Sequence, residues 1–590
     1  MFVATSVGPT TALASPTNAN ELNHPLETVV SCQACHLFGN PAAFQGEPVI
    51  APGGWAGTMM GNSARDPVFW AGLAVAAQDD PDDTELCVRC HIPRAYLDGR
   101  GSITAIDEMT VNEREGISCD LCHRMIDDQV TPPGNAQWTL DDVAGANGVQ
   151  VPKRGPWNYE NSVPMHSHEW SDDADLQKSA QFCGTCHDVT TVRERLDDDG
   201  SPMGFAFNEQ RTYSEWLNSA YADPQDAEAA TCQGCHMPEI SDAVGCNVWL
   251  NQGLSHPDGG RRHEFVGANR FMMELIRADQ AELDVPEVAP AIYDNAIANL
   301  DAFLPSAAAL EVDWPASVDL GQGISTWGVR VENRSGHKLP SGYSEGRVMW
   351  LELEARYDGE LVYSSGLWNP ETQEIEDDPQ VRRYEGIADE LASGQRNHLL
   401  LNDHWVKDTR IPPRGLEVDP QTDPVHGYWT AQNGVWPHVD DVDYSFAAAQ
   451  VAEHAGGPPA QLELRVRLMY VINTNEYIGE LVDANVTNSA GVDVASKFEA
   501  MGGVQPMVIA EASQSVPLSG LLPVPNGSET GSETAEAGET AADESGDPSG
   551  EGDGGCGCRS DDGGAGGGFA ALGLLGLVGW RRRRPAPRSR

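Results

Sequence analysis

The 590-residue chain repeats one short cysteine pattern five times in its first half, and this repeat constrains the fold more than any other feature. Each copy has the form C-x-x-C-H, and the copies are CQACH, CVRCH, CDLCH, CGTCH and CQGCH. Ten of the thirteen cysteines belong to these copies. Chance would produce on the order of 0.01 such pentapeptides in a chain with these cysteine and histidine frequencies. The five copies therefore mark a chemical unit that the chain uses repeatedly.

The C-x-x-C-H spacing is the attachment motif for c-type haem. Two thiols three positions apart can add to the two vinyl groups on one edge of a porphyrin, and the adjacent histidine then lies under the iron as its proximal ligand. The predicted thioether donors are Cys32 and Cys35, Cys87 and Cys90, Cys119 and Cys122, Cys183 and Cys186, and Cys232 and Cys235. The predicted proximal iron ligands are His36, His91, His123, His187 and His236. The sequence thus predicts five covalently attached haems c, each with its iron.

Two other chemistries use paired cysteines, namely structural zinc sites and disulfide bonds. Structural zinc combines C-x-x-C pairs in twos, so five units leave one pair without a partner. Disulfides account for an even number of cysteines, but not for a histidine after every pair. Haem attachment is therefore favoured over both. Five haems between Cys32 and His236 leave little polypeptide for each macrocycle, so we expect porphyrins to supply much of the apolar interior among short helices and long loops.

The group in the sixth position of each iron separates an electron carrier from a catalyst, because a second strong ligand blocks substrate and an open position admits it. The candidate distal ligands are His24, His166, His168, His256, His263 and His337. Each of them could instead be a solvated or core histidine. That alternative is favoured for the histidines farther along the chain, which are His398, His404, His426, His438 and His454. Met59 and Met60 could also ligate iron, although core packing is the favoured role for both.

Around these motifs the chain resembles the multihaem c-type cytochromes related to cytochrome c-554 and to the haem domains of hydroxylamine oxidoreductase. The resemblance covers about residues 25 to 475. It rests on ARDPVFWAGLAVA, GISCDLCHRM, FCGTCHDV, TYSEWLNSAYA, CQGCHMP, HEFVGAN and NRSGHKLPSG. In that family a G-H-x-[FL]-P-[ST]-G loop carries a histidine that reaches back to a haem, and GHKLPSG matches it here. The resemblance therefore implies that His337 is a distal ligand delivered from the following domain.

The same resemblance favours His263 and one of His166 or His168 as further distal ligands. It also carries one informative difference. The pentahaem nitrite reductases place lysine in one C-x-x-C-K motif, and this chain has none. That difference speaks against the nitrite-reductase mechanism.

The expected fold is a multi-domain α+β chain. Six segments are predicted: a residual leader at 1–24, a mostly helical and loop-rich pentahaem domain at 25–275, a helical connector at 276–309, an antiparallel β-sandwich-like domain at 310–515, a disordered acidic linker at 516–555, and a C-terminal sorting or transmembrane tail at 556–590. The leader contains Ala12-Leu13-Ala14, which fits an A-x-A cleavage site. Haem c is attached outside the cytoplasmic membrane, so export is expected in any case.

The β-domain is predicted from alternating apolar residues. In VMWLELEARYDGELVY, apolar and polar positions alternate up to Asp358-Gly359, where a hairpin turn is expected. QLELRVRLMYV repeats the alternation, and an antiparallel sandwich is the economical fold. RFMMELIRADQAELD and PAIYDNAIANLDAFL follow the last C-x-x-C-H motif, and their apolar spacing predicts helices that bridge to the β-domain.

The last segments differ sharply in composition. NGSETGSETAEAGETAADESGDPSGEGDGG has no basic or aromatic residue and cannot bury enough surface to fold. A short apolar run then ends at Trp580, and Arg581 to Arg584 follow it on the predicted cytoplasmic side. This tail resembles the C-terminal sorting signals of myxobacterial surface proteins, with Cys556 and Cys558 matching their cysteine element. The resemblance implies display at the cell surface.

The charge limits the partners. Lys and Arg number 37 and Asp and Glu number 89, which gives a formal net charge of -52 at pH 7. Such a chain repels nucleic acid and anionic membrane surfaces, so redox partner proteins are expected, and the membrane is approached only through the tail.

The sequence is compatible with three functions. The first is electron transfer along five haems at the cell surface or in the periplasm, which the supply of six well-placed histidines for five irons favours. The second is an oxidoreductase that acts on a small nitrogen or sulfur compound at a five-coordinate haem. The third is a haem-stabilised binding module whose β-domain carries the function.

The stoichiometry can be tested directly. Because each motif holds its porphyrin through two thioether bonds, we expect the exported protein to keep five haems after denaturation. Replacing Cys232→Ala together with Cys235→Ala is expected to remove one of the five, as measured by intact mass spectrometry. A mass with zinc and without covalent porphyrin would contradict the prediction.

Overall fold

The structure is a computed structural model that describes residues 16–36, 52–145, 150–155, 170–171, 174–240, 260–280, 288–319, 324–447, 451 and 461–519. The chain divides into two units, Met1–Val524 and Pro525–Arg590. All described residues belong to the first unit. The predicted acidic linker, from residue 520 onward, and the predicted tail lie outside the described residues.

Short helices dominate the first half of the described chain. The helices are α1 (Val29–His36), α2 (Pro52–Ala56), α3 (Met59–Asn62), α4 (Pro67–Asp79), α5 (Glu85–His91), α6 (Pro93–Leu97), α7 (Cys119–Arg124), α8 (Ala174–Lys178), α9 (Ala180–Gly184), α10 (Thr212–Leu217), α11 (Cys232–His236), α12 (Arg270–Asp279), α13 (Pro290–Phe303), α14 (Asn475–Ala484) and α15 (Ala490–Ala500). Every C-x-x-C-H motif lies on or at the end of one of them. Since side chains three positions apart share one face of a helix, this placement turns the two cysteines of a motif the same way.

Strands dominate the second half. The strands are β1 (Met125–Ile126), β2 (Thr139–Leu140), β3 (Lys153–Arg154), β4 (Trp170–Ser171), β5 (Val189–Leu196), β6 (Pro202–Gln210), β7 (Glu239–Ile240), β8 (Gly260–Arg261), β9 (Ala308–Asp313), β10 (Val318–Asp319), β11 (Ile324–Asn333), β12 (Arg347–Tyr357), β13 (Glu360–Ser365), β14 (Trp368–Asn369), β15 (Glu374–Ile375), β16 (Arg382–Tyr384), β17 (Gly386–Asp389), β18 (His404–Asp408), β19 (Val439–Ala447), β20 (Gln461–Ile472) and β21 (Met507–Ser519). The prediction of a mixed α and β chain is confirmed.

Two sheets form the β-rich part. A six-stranded sheet has the order β10-β21-β20-β12-β13, with β16 also paired to β12, and a three-stranded sheet has the order β19-β11-β9. The pairs are antiparallel except for β10 with β21. Residues of both sheets, such as Val329 on β11 and Leu351 on β12, share one hydrophobic core.

The predicted hairpin turn is present between β12 and β13. Asp358 and Gly359 have φ angles of 47° and 81°, the left-handed pair that a two-residue type I′ turn requires. Glycine adopts such angles without strain, and Asp tolerates them better than most other residues, which explains the Asp-Gly sequence.

The alternation along β12 predicts one buried face, but the structure buries both. Trp350 is fully buried in a second core, against helices α4, α12, α13, α14 and α15. Glu352 and Glu354 are buried as well, and they form ion pairs with Arg467 and Arg465 of β20. Helices and cross-strand ion pairs therefore cover the face that the alternation assigns to solvent.

The two segments with helical apolar spacing form α12 and α13, and α12 begins at Arg270, before the predicted connector boundary at 276. Helices α14 and α15 were not predicted, because they interrupt a region that the alternation assigns to strands alone. Both pack against α4, which belongs to the first half of the chain. Met59 and Met60 lie on α3 and pack against hydrophobic cores, as the favoured interpretation predicts.

None of the described helices is long and apolar enough to cross a membrane.

Candidate haem-binding site

The cysteines of the five motifs are available for covalent attachment. Nine of them have described side chains, and all nine are free thiols. Among the described residues, a single group of three His, Cys, Asp or Glu side chains lies close enough to share a metal ion, and it contains no cysteine. The described cysteines thus form neither disulfides nor a zinc site with three or more donors.

The thiols of different motifs lie next to one another. Cys32 of the first motif is within hydrogen-bonding reach of Cys119 of the third. Cys90 of the second motif interacts with Cys186 of the fourth, and Cys183 of the fourth motif interacts with Cys232 of the fifth. In addition, the Cys122 thiol of the third motif is within electrostatic range of the fourth. All five attachment points therefore form one connected cluster.

Two motif histidines each face a second histidine. The ring centroids of His123 and His263 are 6.1 Å apart with an interplanar angle of 24°, and those of His236 and His337 are 6.3 Å apart at 18°. Two metal–nitrogen bonds of about 2.0 Å and the radii of two five-membered rings add up to about 6 Å. Both separations match two imidazoles that bind one metal ion from opposite sides.

All four rings are oriented through Nδ1. This nitrogen is hydrogen-bonded to a backbone carbonyl oxygen in each case: Arg154 for His123 at 2.5 Å, Val266 for His236 at 2.6 Å, Arg261 for His263 at 3.2 Å, and Lys338 for His337 at 3.0 Å. Because a carbonyl oxygen only accepts, Nδ1 carries the proton and Nε2 keeps its lone pair. Such outer hydrogen bonds orient metal-binding histidines.

Burial also keeps these rings neutral. It lowers the pKa of His123, His236 and His337, and it lowers that of His263 to about 4. Neutral imidazole is the form that ligates a metal. Free thiols three positions apart, neutral rings and unoccupied Nε2 atoms all fit covalent haem with axial histidines. His236 with His337 and His123 with His263 would hold two of the irons; the ligation itself stays a prediction.

Hydrogen bonds from side chains to backbone carbonyls hold the loop that carries His337. Asn333 Nδ2 donates to the carbonyl oxygens of His337 and Ile411 at 2.8 and 2.9 Å, and Ser335 Oγ donates to that of His337 at 2.9 Å. A Cβ atom on Gly336 would lie 2.9 Å from Trp216 Cδ1 on α10. The glycine of the G-H-x-[FL]-P-[ST]-G pattern thus allows the loop to approach α10 closely.

A buried group of charges fixes the same loop. Lys338 Nζ donates to Asp408 at 2.8 Å, Arg410 donates to both oxygens of Asp408 at 2.8 Å, and the Lys338 backbone N–H donates to Glu215 Oε2 at 3.0 Å. All four side chains are at most 6 % exposed. Although burial acts in the opposite direction, Arg410 and Lys338 hold the pKa of Asp408 well below its usual range. Glu215 lies on α10, so the group joins the β-rich part to the part that carries the C-x-x-C-H motifs.

The other predicted ligands have different surroundings. His91 stacks on Phe69 at 4.2 Å and 10°, and His187 Nδ1 lies 3.4 Å from Gln210 Nε2. Neither faces a second histidine ring within the described part of the chain. His24 Nδ1 lies 3.0 and 3.2 Å from the carbonyl and carboxylate oxygens of Asp142. His36 ends α1 and is within electrostatic range of His263.

Several predicted site residues cannot be placed. His166 and His168, and also His256, lie outside the described residues, as does the side chain of Cys35.

Sequence reasoning missed a buried carboxyl pair beside the second motif. Glu209 and Glu345 are 9 % and 5 % exposed, and Glu209 is within electrostatic range of Cys90. Burial, followed by the charge of Glu345, raises the pKa of Glu209 to about 8. Arg347 lies within electrostatic range and opposes this shift. No local pattern could have revealed the pair, because its members lie on distant segments.

Comparisons with known proteins give little further information. No protein-family model and no curated protein matches the chain. A solved structure that resembles it is a penta-heme cytochrome c552 from Thermochromatium tepidum, with 16% sequence identity and a TM-score of 0.46. The similarity covers 84% of this chain and 100% of that one.

The buried charges around Asp408 lead to a prediction about the stability of the fold. Asp408→Asn leaves the buried Lys338 and Arg410 with only the more distant Glu215 carboxylate, at 3.9 and 4.0 Å, as counter-charge, so we expect the free energy of unfolding to fall by about 3–5 kcal/mol. Asp441→Asn is the control, because Asp441 forms an exposed pair with Arg330 and its loss is expected to cost at most about 1 kcal/mol. Denaturant titration of the haem-loaded proteins measures both. Equal losses in the two variants would contradict the prediction.

The raised pKa of Glu209 predicts that the free energy of unfolding depends on pH. Its pKa is raised from 4.5 to about 8, so the folded protein holds a proton there that the unfolded chain releases. That contribution to stability is complete below pH 4.5 and is lost as the pH rises to about 8. In Glu209→Gln, we expect the free energy of unfolding to fall less steeply across this range, by up to about 1.4 kcal/mol per pH unit. Glu228→Gln, at an exposed position, is the control. Parallel curves for Glu209→Gln and the parent would contradict the prediction.

Proposed function

We propose that the protein is an exported multihaem c-type cytochrome that transfers electrons along five covalently bound haems. The observation that carries this proposal is the pairing of two motif histidines with a second histidine, His123 with His263 and His236 with His337. An iron between two imidazoles has no position for substrate. Such a haem can exchange electrons but cannot bind a small molecule without losing a ligand.

The clustering of the attachment points supports electron transfer between haems. The third and fourth motifs approach each other, the first motif adjoins the third, and the second and fifth motifs adjoin the fourth. Haems tethered at these points would lie close together. Since electron tunnelling weakens steeply with distance, a connected cluster of haems favours transfer through the whole set.

An oxidoreductase acting on a small nitrogen or sulfur compound is the second candidate. It is favoured by the surroundings of the second motif, where His91 stacks on Phe69 and the carboxyl of Glu209 lies near Cys90. A buried carboxyl with a pKa of about 8 is protonated at neutral pH. It could donate a proton to a substrate in that neighbourhood.

The location and partners belong to the same proposal. Haem attachment requires export, and the C-terminal segment with Arg581 to Arg584 would anchor the protein at the cell surface or on the periplasmic side of a membrane. Redox proteins would supply or accept the electrons. The net charge of -52 disfavours nucleic acid as a partner.

Removal of His337 tests the proposal. We expect His337→Ala to convert one low-spin haem to high-spin and to open a site for cyanide or carbon monoxide, with five haems still attached. Electron paramagnetic resonance of the oxidised protein counts both kinds of iron. His438→Ala is the matched control, because this histidine also lies in the β-rich part and is only partly buried.

The outcomes separate the candidates. Low-spin iron throughout the parent, with one high-spin iron in His337→Ala, supports the electron carrier. A high-spin iron in the parent that binds cyanide supports the oxidoreductase. An unchanged spectrum in His337→Ala would remove His337 from the set of ligands.

A further inference from the structure

Three side chains away from the haem motifs converge at the tip of a hairpin. Asp198 lies in the turn between β5 and β6, His404 begins β18, and His426 lies in the loop that follows β18. One nitrogen or oxygen atom from each of the three lies within 4.8 Å of the others. His404 and His426 are two of the histidines that the sequence assigns to solvent or to a core.

The hydrogen bonds of His404 fix its tautomer. Its Nδ1 lies 2.8 Å from the Asp389 carboxylate, which in its ionised form only accepts, so this nitrogen carries the proton. The Nε2 of the neutral ring is then an acceptor. It lies 3.2 Å from Asp198 Oδ1, which is also an acceptor.

His426 repeats the arrangement with its nitrogens exchanged. Its Nε2 donates to the carbonyl oxygen of Trp405, so Nδ1 of the neutral ring keeps its lone pair. That lone pair lies 3.4 Å from Asp198 Oδ2. The φ angle of His426 is 64°, in the left-handed region. Non-glycine residues adopt this region uncommonly, and those that do are often found at functional sites.

In both contacts, a ring nitrogen that carries a lone pair thus faces a carboxylate oxygen of Asp198, and neither atom donates a proton. They become favourable if both imidazoles take up an extra proton, or if one divalent cation lies between the three side chains. The separations of 3.2 Å from His404 Nε2 to Asp198 Oδ1 and of 3.4 Å from His426 Nδ1 to Asp198 Oδ2 are each close to the edge of a tetrahedron around a metal with bonds of about 2.0–2.1 Å, which is about 3.3 Å, so each ring has one carboxylate oxygen at a suitable distance. Two histidines and one carboxylate are a common ligand set for divalent first-row metals, and the Asp389 carboxylate behind His404 is a typical outer partner.

We propose that Asp198, His404 and His426 bind a divalent transition-metal ion, with zinc as the best fit to three ligands and one open position. The ion would fasten the β5–β6 hairpin to the β17–β18 pair. These parts already meet through Phe207 and Trp405, whose rings are 5.4 Å apart, and through the Leu196 N–H, which donates to the carbonyl oxygen of Asp403 at 2.7 Å. The site is separate from the haem motifs and does not depend on the proposed electron transfer.

Zinc binding to the full-length haem-loaded protein tests the proposal. After dialysis against a chelator and then against zinc, we expect the parent to retain about one zinc more than Asp198→Asn or His426→Gln, by elemental mass spectrometry. Calorimetric titration is expected to show zinc affinity at least about 100-fold weaker in both variants, because one loses the carboxylate ligand and the other loses the second imidazole ligand. Asp199→Asn is the control, since Asp199 lies in the same turn and accepts a hydrogen bond from the Ser201 N–H.

A second measurement guards against variants that fold poorly. Zinc that binds only the folded protein raises the thermal unfolding midpoint, and we expect this rise in the parent and in Asp199→Asn but not in His426→Gln. The haem absorption spectra of all variants should agree before the zinc contents are compared. Equal zinc content in parent and His426→Gln, or no zinc-dependent rise in the parent, would overturn the proposal and leave ion pairs between Asp198 and protonated histidines.

Discussion

The buried charges around Asp408 determine where the His337 loop can lie. Transfer of Lys338, Arg410 and Asp408 from water to the interior is costly unless each charge is paired and hydrogen-bonded. Here Asp408 accepts bonds from both cations, and Glu215 of α10 accepts the Lys338 backbone N–H. Because displacement of the loop would leave these charges unpaired inside the protein, the loop is held against α10, and this fixes the position of the His337 ring.

This constraint links distant parts of the chain through each histidine pair. His123 belongs to the third motif and meets His263 beyond the fifth, while His236 of the fifth motif meets His337 of the β-rich part. A metal bound between such rings would be held by two separate segments, so its binding would contribute to their association. Helices α14 and α15 add an apolar link, since they pack on α4. The part that carries the C-x-x-C-H motifs and the sheets therefore share their stability.

Short-range sequence patterns predicted the features that neighbouring residues determine. The C-x-x-C-H motifs, the helices α12 and α13 and the turn at Asp358-Gly359 all depend on neighbouring residues. The loop containing His337 was found only through a family resemblance. The burial of Glu352 and Glu354 escaped prediction because their partners lie on another strand, and Glu209 escaped because its pKa depends on burial and on Glu345. Each miss involves a polar group whose partner is distant in the sequence.

The histidines illustrate the same limit at the level of single atoms. In His236 and His337 a backbone carbonyl occupies Nδ1, which leaves Nε2, the nitrogen farther from the backbone, for a ligand. This nitrogen reaches the centre of a large planar group more easily than Nδ1, because it keeps that group farther from the main chain. In His426 the carbonyl of Trp405 occupies Nε2 instead, so the lone pair lies on Nδ1, beside the main chain, where only a small ion fits. The hydrogen-bond partner of each ring thus distinguishes histidines suited to haem from one suited to a metal ion, and that partner is set by the tertiary fold.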